Sequence, residues 1–308
     1  MAMKVFVTGG TGFVGREIVR ELHKAGHEIC LLARDPGSST TEKLASECAA
    51  EIRQGNLLDV ASLSKAMQGA DAVIHLVGII SEYGQQTFER VHTQATQNVV
   101  QAAVISGARR LAHMSALGAR ENAIARYHQT KWAAEQAVRQ SVLNWTIFRP
   151  SIIYGRDDAF VNLFVKIAAR SPVVPLIGGG RSKFQPIPVH DVARCFVRSL
   201  SEPKSIKQTL DLGGDQVLTL AEIVNAVLAA TGRHRLKLPV PFGLARMQAA
   251  LLEYIYPKLL GKASPLNRDQ LLMLQEVNVG NPGAATQLFD LKPEPFAFGI
   301  ARYLKSNS

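Results

Sequence analysis

Cysteine is scarce in this chain: three in 308 residues (Cys30, Cys48 and Cys195), odd in number and far apart. That excludes a disulfide framework and a zinc site of paired cysteines, and it fits a reducing, cytoplasmic setting with Cys30 and Cys195 as buried thiols. No run of 18 uncharged apolar residues occurs, so hydropathy predicts no membrane-spanning helix. The first residues read as a strand and a glycine turn, not as the long apolar core of a signal peptide. No His/Cys/Asp cluster has metal-ligand spacing, and no metal is expected. Acidic residues are outnumbered, 25 against 35 basic, for a net charge of +10. The basic residues are scattered and carry no nucleic-acid recognition motif. They predict a solvated surface, a phosphorylated ligand or an anionic membrane face rather than nucleic acid. With 47% hydrophobic and 19% charged residues the chain is globular.

What the chain does have is glycine in a telling place. An apolar stretch, Val5 to Val7, runs into Thr8, Gly9, Gly12 and Gly15, and a helical pattern follows with Val14, Ile18 and Leu22 on one stripe. Glycines so spaced let the backbone turn tightly and let a pyrophosphate approach the helix N-terminus, where free N–H groups and the helix dipole favour an anion. A dinucleotide site is predicted. Selectivity between NAD(H) and NADP(H) is read at the second strand, where an acidic residue would bind the ribose 2′-hydroxyl. The sequence there is Leu31-Leu32-Ala33-Arg34-Asp35. Ala33 stands where the carboxylate is expected, and the Arg34 guanidinium can fork onto a 2′-phosphate, with Arg16 as a helper. NADP(H) is therefore expected over NAD(H).

Strand and helix alternate through the first half. Strands are predicted at Val5–Val7, Ile29–Leu32, Ala72–Val77, Leu111–Ser115 and Trp145–Phe148, with helices at Phe13–Ala25, Ser62–Met67, Phe88–Ser106 and Arg126–Gln140. Apolar, non-alternating strands between helices predict an α/β fold with a Rossmann-type doubly wound parallel sheet. Ligands of such sheets sit beyond the C-terminal strand ends, which places Gly78, Ser115 and Arg149 near one crevice. After Gly155 the pattern loosens. A strand at Thr209–Leu212 and a helix at Glu222–Ala230, capped by Thr219 with Glu222 and stopped by Gly232, follow. The expected division is a dinucleotide-binding domain over 1–155, rejoined by 186–215, and a smaller substrate lobe from 156–185 and 216–308.

Tyr127 and Lys131 lie four apart, on one helix face. A phenol with its usual pKa of about 10 is a sluggish base at neutral pH, and a neighbouring cation would lower that value. The same tyrosine could donate a proton to a carbonyl during hydride delivery. His75 is read as either crevice-lining or packed, Asp157-Asp158 as a helix start, and Leu244–Tyr256 as an amphipathic segment that suits a lid, core or a membrane surface.

Together, Thr8-Gly9-x-x-Gly12-x-x-Gly15 and Tyr127-x-x-x-Lys131 resemble the extended short-chain dehydrogenase/reductase superfamily, over nearly the whole chain. Asn56-Leu57, His75-Leu-Val-Gly78, Arg149-Pro150-x-x-x-Tyr154-Gly155 and Val189-His-Asp191-Val-Ala193 resemble its later landmarks. Met114-Ser-Ala-Leu-Gly-Ala119, Phe148–Asp158 and Leu210-Asp-Leu-Gly-Gly214 are similar to the atypical branch that includes the nucleotide-binding accessory subunit of respiratory complex I. The resemblance implies catalysis by Tyr127, Lys131 and Ser115. It implies cofactor contacts from Thr8, Gly9, Gly12, Phe13, Val14, Gly15, Arg34, Asn56, Leu57, Val77, Gly78, Lys131 and Pro150. It also implies a tightly held NADP(H), a setting peripheral to an inner membrane or redox complex, and a homodimer bundled through Phe88–Ser106 and Arg126–Gln140. Two positions depart from the pattern. Ala116 stands where the superfamily uses Ser or Thr to hold the substrate oxygen, with Ser115 one residue earlier, and His92 replaces an asparagine. The resulting expectation is an NADP(H)-dependent oxidoreductase acting on a carbonyl or alcohol, hydrophobic or quinone-like. The alternatives are a non-catalytic NADPH-binding accessory protein and a nucleotide-sugar epimerase or dehydratase.

Overall fold

The computed structural model describes residues 2–304. Its first half runs β1 (Lys4–Thr8), α1 (Phe13–Lys24), β2 (Glu28–Ala33), α2 (Ser39–Glu47), β3 (Glu51–Gln54), α3 (Val60–Ala66), β4 (Ala72–His75), α4 (Ala95–Ile105), β5 (Arg110–Met114), α5 (Arg126–Arg139) and β6 (Asn144–Pro150). The second half runs β7 (Ile153–Tyr154), α6 (Phe160–Arg170), β8 (Val173–Ile177), β9 (Lys183–Phe184), β10 (Ile187–Pro188), α7 (Val189–Ser199), β11 (Gln208–Leu212), β12 (Leu218–Thr219), α8 (Leu220–Ala230), β13 (Leu236–Val240), α9 (Phe242–Ile255), α10 (Arg268–Gln275), α11 (Gly283–Leu288) and α12 (Phe296–Leu304).

Seven strands form one parallel sheet in the order β11-β6-β5-β4-β1-β2-β3. The chain order reverses between β1 and β4, and the ligand crevice of a doubly wound sheet opens at that switch point. Val5, Phe6 and Val7 are all fully buried because helices cover both faces. On one face α1 and α7 enclose Ile18, Leu22, Val192 and Phe196. On the other, α3 and α4 pack Leu63, Val99 and Ala102 against Phe6, Val73 and Leu111. Residues 189–212 return to this sheet, α7 against α1 and β11 at the edge. A separate apolar cluster, with Val161, Phe164, Val224, Val227 and Ile300, holds α6, α8 and α12 together. The Thr219–Glu222 capping box of α8 is formed.

In the first half of the chain, two elements were not expected. α2 and β3 carry mostly polar residues (Ser39–Glu47, Glu51–Gln54), and an edge strand this short has no apolar run to reveal it. The predicted helix over 88–106 is divided: Glu89–Gln94 is a π-turn, and α4 begins only at Ala95. π-Turns within helices gather at functional sites.

Candidate active site

The turn after β1 is shaped by two close approaches. Gly9 has φ +75°, and a side chain there would press on Leu76 and Val77 of the turn after β4. A Cβ on Gly15 would stand 2.1 Å from the Gly9 carbonyl oxygen, so only glycine lets α1 start there. Gly12 opens α1 in extended conformation with no side-chain cap, leaving the first N–H groups to the crevice. Val14 and Gly15 are buried in the first turn of α1, and the Phe13 ring lies against Gly155. A turn of this shape has the geometry to receive a diphosphate. The Thr8 hydroxyl is buried and bonded to His75 Nδ1 at 2.6 Å, so it is committed within the sheet.

At the far end, beyond β2 and β3, lies a cavity of about 790 Å³ lined by Arg34, Arg53, Asn56, Ser62 and Lys65 among others, with no carboxylate among them. Arg53 is committed. It grips Glu51 with two nitrogens at 2.8 and 2.9 Å, holding that carboxyl down near pKa 2, and it donates to the Ala66 and Gln68 carbonyls. Arg34 and Lys65 form no ion pair among the described residues. Asn56 shapes the cavity floor by accepting from the Leu58 N–H, and the Leu57 carbonyl accepts from Asn98. Arg16 does not help here. Its guanidinium bonds the Thr11 carbonyl and Asp157 at 2.8 Å.

Tyr127 and Lys131 sit in the first turns of α5, past the C-terminal ends of β4 and β5. Asp269 of α10 fixes this helix start, accepting the N–H groups of Arg126 and Tyr127 at 2.8 and 3.0 Å. Lys131 Nζ donates to the Met114 carbonyl at 3.1 Å, and a Cβ on Gly78 would lie 3.0 Å from that nitrogen. Gly78 thus lets the ammonium face the switch-point crevice, beside half-buried Val77. Burial lowers the Lys131 pKa to about 8. The Tyr127 ring stands edge-on to Phe88, His92 and His128 at 5.2–5.9 Å. The expectation of a lowered phenol pKa is corrected: burial, with the Asp269 charge, pushes it up to about 12.

His92, in the π-turn, ties this region together. His92 Nδ1 pairs with Thr130 Oγ1 at 2.9 Å, and His92 Nε2 lies 3.1 Å from both the N–H and the carbonyl oxygen of Ile79. The residue bridges the turn after β4 to the helix carrying Tyr127 and Lys131. Burial and the Lys131 charge hold it neutral, with a pKa near 2. His75, read as either lining or packed, is packed: it bonds Thr8 and Thr96 and stacks on His113 at 5.4 Å. Both ring nitrogens of buried His113 lack a hydrogen-bond partner among the described residues.

Ser115 goes elsewhere. It is buried and donates to Glu135 at 2.6 Å. Glu135, fully buried, also accepts from Arg149 at 2.7 Å through each of two nitrogens and from Arg139 at 3.0 Å. The proton of Ser115 is thereby spent on the helix behind the site, which corrects the reading of this hydroxyl as a substrate-oxygen ligand. Arg149 is likewise drawn beneath α5 rather than into the crevice. Pro150 is buried at the end of β6 and offers its carbonyl to the Leu117 N–H at 3.1 Å. Glu135, Asp269 and Glu276, whose carboxylate pairs with Arg120 and His128, carried no motif. Only the folded chain brings Asp269 and Glu276 to α5.

A family profile described as NAD(P)H-binding matches residues 9–203, a span that holds the glycine turn, the Arg34 cavity and the Tyr127–Lys131 pair. The chain belongs to that family. It is 32% identical over 279 residues to NADH dehydrogenase [ubiquinone] 1 alpha subcomplex subunit 9 of Arabidopsis thaliana, covering 88% of this chain and 68% of that protein. It is 34% identical over 200 residues to the ceramide reductase of Caulobacter vibrioides, covering 65% of this chain and 61% of that one. The chain therefore spans about two thirds or less of the length of these relatives. The fold is also that of DesIV, a dTDP-glucose 4,6-dehydratase from Streptomyces venezuelae solved with NAD bound, at a TM-score of 0.75 and 20% identity over 98% of this chain and 96% of that one. This NAD(P)H-binding protein thus has the fold of the extended short-chain dehydrogenases/reductases.

Proposed function

We infer that this NAD(P)H-binding protein is an NADP(H)-dependent reductase of a hydrophobic carbonyl compound. One observation carries the reading: Tyr127 and Lys131 share the first turns of α5, with the Lys131 ammonium beside Gly78 at the switch-point crevice, while a cationic cavity without a carboxylate lies beyond β2 and β3. The glycine turn would hold the diphosphate, Arg34 and Lys65 the 2′-phosphate, and Lys131 the nicotinamide ribose. The dihydronicotinamide supplies hydride when bound. Tyr127 holds its proton at neutral pH, since its pKa is pushed up to about 12, so it serves as the proton donor to a carbonyl oxygen rather than as a base. Ala116 and Ser115 supply no second hydroxyl, which leaves Tyr127 to orient the carbonyl alone. The ceramide reductase likeness supports an apolar, lipid-like substrate.

Tyr127→Phe is expected to lower turnover of a hydrophobic carbonyl substrate by about 10²–10⁴-fold with NADPH affinity nearly unchanged; undiminished turnover would remove Tyr127 from the chemistry. A second reading, a cofactor-holding accessory protein of a redox complex, is favoured by the commitment of Ser115 to Glu135 and by the complex I relatives. Native mass spectrometry showing retained NADPH, with no reduction of any carbonyl in a broad panel, would select it.

A further inference from the structure

Helix α9 is built the wrong way round for a helix facing water. It buries its small residues, Ala245 and Ala249, against Leu271 of α10. It exposes its large ones: Leu244 by 57%, Met247 by 71%, Leu251 by 58% and Tyr254 by 62%. Their spacing of three, four and three residues makes one continuous apolar stripe. The helix runs on through a π-turn, Tyr256–Leu260, whose Leu259 and Leu260 are also exposed, and ends at Gly261 in left-handed conformation. No helix of the described residues is long and apolar enough to cross a membrane.

The charge along the stripe is mostly of one sign. Residues 242–262 hold Arg246, Lys258 and Lys262 against a single acidic residue, Glu253, which is paired with Arg268 at 2.6 Å. Lys258 Nζ sits 3.8 Å above the Tyr254 ring, at the end of the stripe. Large apolar side chains flanked by cations and an amphipathic tyrosine match a surface that is oily beneath and anionic above. A second copy of the chain fits poorly, since a two-fold contact would set this basic surface against itself.

We propose that α9 and the turn that follows it lie in the headgroup layer of an anionic phospholipid membrane, the Leu244–Tyr254 stripe among the acyl chains and Lys258 and Lys262 at the phosphates. The other face of α9 leads back to the candidate site. α9 packs on α10, where Asp269 caps the helix of Tyr127, and Asn267 donates to the Ile80 carbonyl two residues after Gly78. The proposal does not depend on which substrate is reduced, or on whether any is.

Flotation of the full chain with vesicles tests it. Vesicles of equal phosphatidylglycerol and phosphatidylcholine are expected to carry at least about tenfold more protein than phosphatidylcholine alone, with binding weakened by salt. M247E/L251E alters only exposed positions and is expected to abolish flotation without shifting the thermal midpoint. K258E/K262E is expected to reduce it by about tenfold or more, and stands in for the first variant should that one melt early. Wild-type protein left at the bottom of the gradient with the anionic vesicles would overturn the proposal. So would unchanged flotation of the variants, or a dimer that M247E/L251E dissolves in the absence of any vesicle binding.

Discussion

At the scale of single residues, the site is a contest between burial and charge. Tyr127 and Lys131 were legible from their spacing, but the spacing suggests that the ammonium lowers the phenol pKa. In the folded chain burial and Asp269 act on Tyr127 instead, and its pKa rises. The histidines make a second point. Burial lowers the pKa of His75 to about 3 and of His92 to about 2, and holds His113 well below its ordinary value. Below about pH 6.5 the unfolded chain binds protons at these rings that the folded chain refuses, so stability is expected to fall steadily as pH drops from 6.5 toward 3. Urea midpoints across that range check this; a flat profile would contradict the buried neutral state. Lys131 acts at the other end. Its lowered value of about 8 means that stability gains with rising pH between about 8 and 10.5. Arg34→Ala is expected to weaken NADPH about 10-fold or more while leaving NADH nearly unchanged, read by fluorescence titration, because a 2′-phosphate is the only group of the pair that a guanidinium there would distinguish.

Among the elements, α5 decides whether the site exists. Its position depends on three carboxylates that no sequence pattern marks. Asp269 supplies the cap that Ala125 cannot, from 142 residues away. Asp269→Ala is expected to cost about 1 kcal/mol and lower the thermal midpoint by a few degrees. Glu135 balances Arg139 and Arg149 in a buried cluster, and Glu135→Ala is expected to cost about 3–5 kcal/mol because it strands those cations. A loss under 1 kcal/mol in denaturant unfolding would show that water already screens the cluster. Long apolar elements such as β1, α1 and α8 were readable because their periodicity and stop signals are local. α2 and β3 were not, being short and polar. The division of the 88–106 helix by a π-turn escaped as well, since it follows from His92 reaching both Ile79 and Thr130.

At the scale of the whole molecule, a nucleotide that bridges the glycine turn, the Arg34 cavity and Lys131 should stabilise everything those parts hold. Saturation with NADPH at about 100 times its dissociation constant is expected to add about 2.7 kcal/mol, seen as a rise in thermal midpoint that NADH matches less well. The sequence by itself determined the doubly wound architecture, the dinucleotide turn and the Tyr127–Lys131 pair, because each rests on the local spacing of glycine, apolar or polar residues along one strand or helix. Tertiary structure alone decided what those residues can do. It turned Ser115 to Glu135, Arg16 to Asp157 and the leucines of α9 outward, since hydrogen-bond partners, burial and exposure are set by contacts between segments far apart in the chain, which no local pattern records.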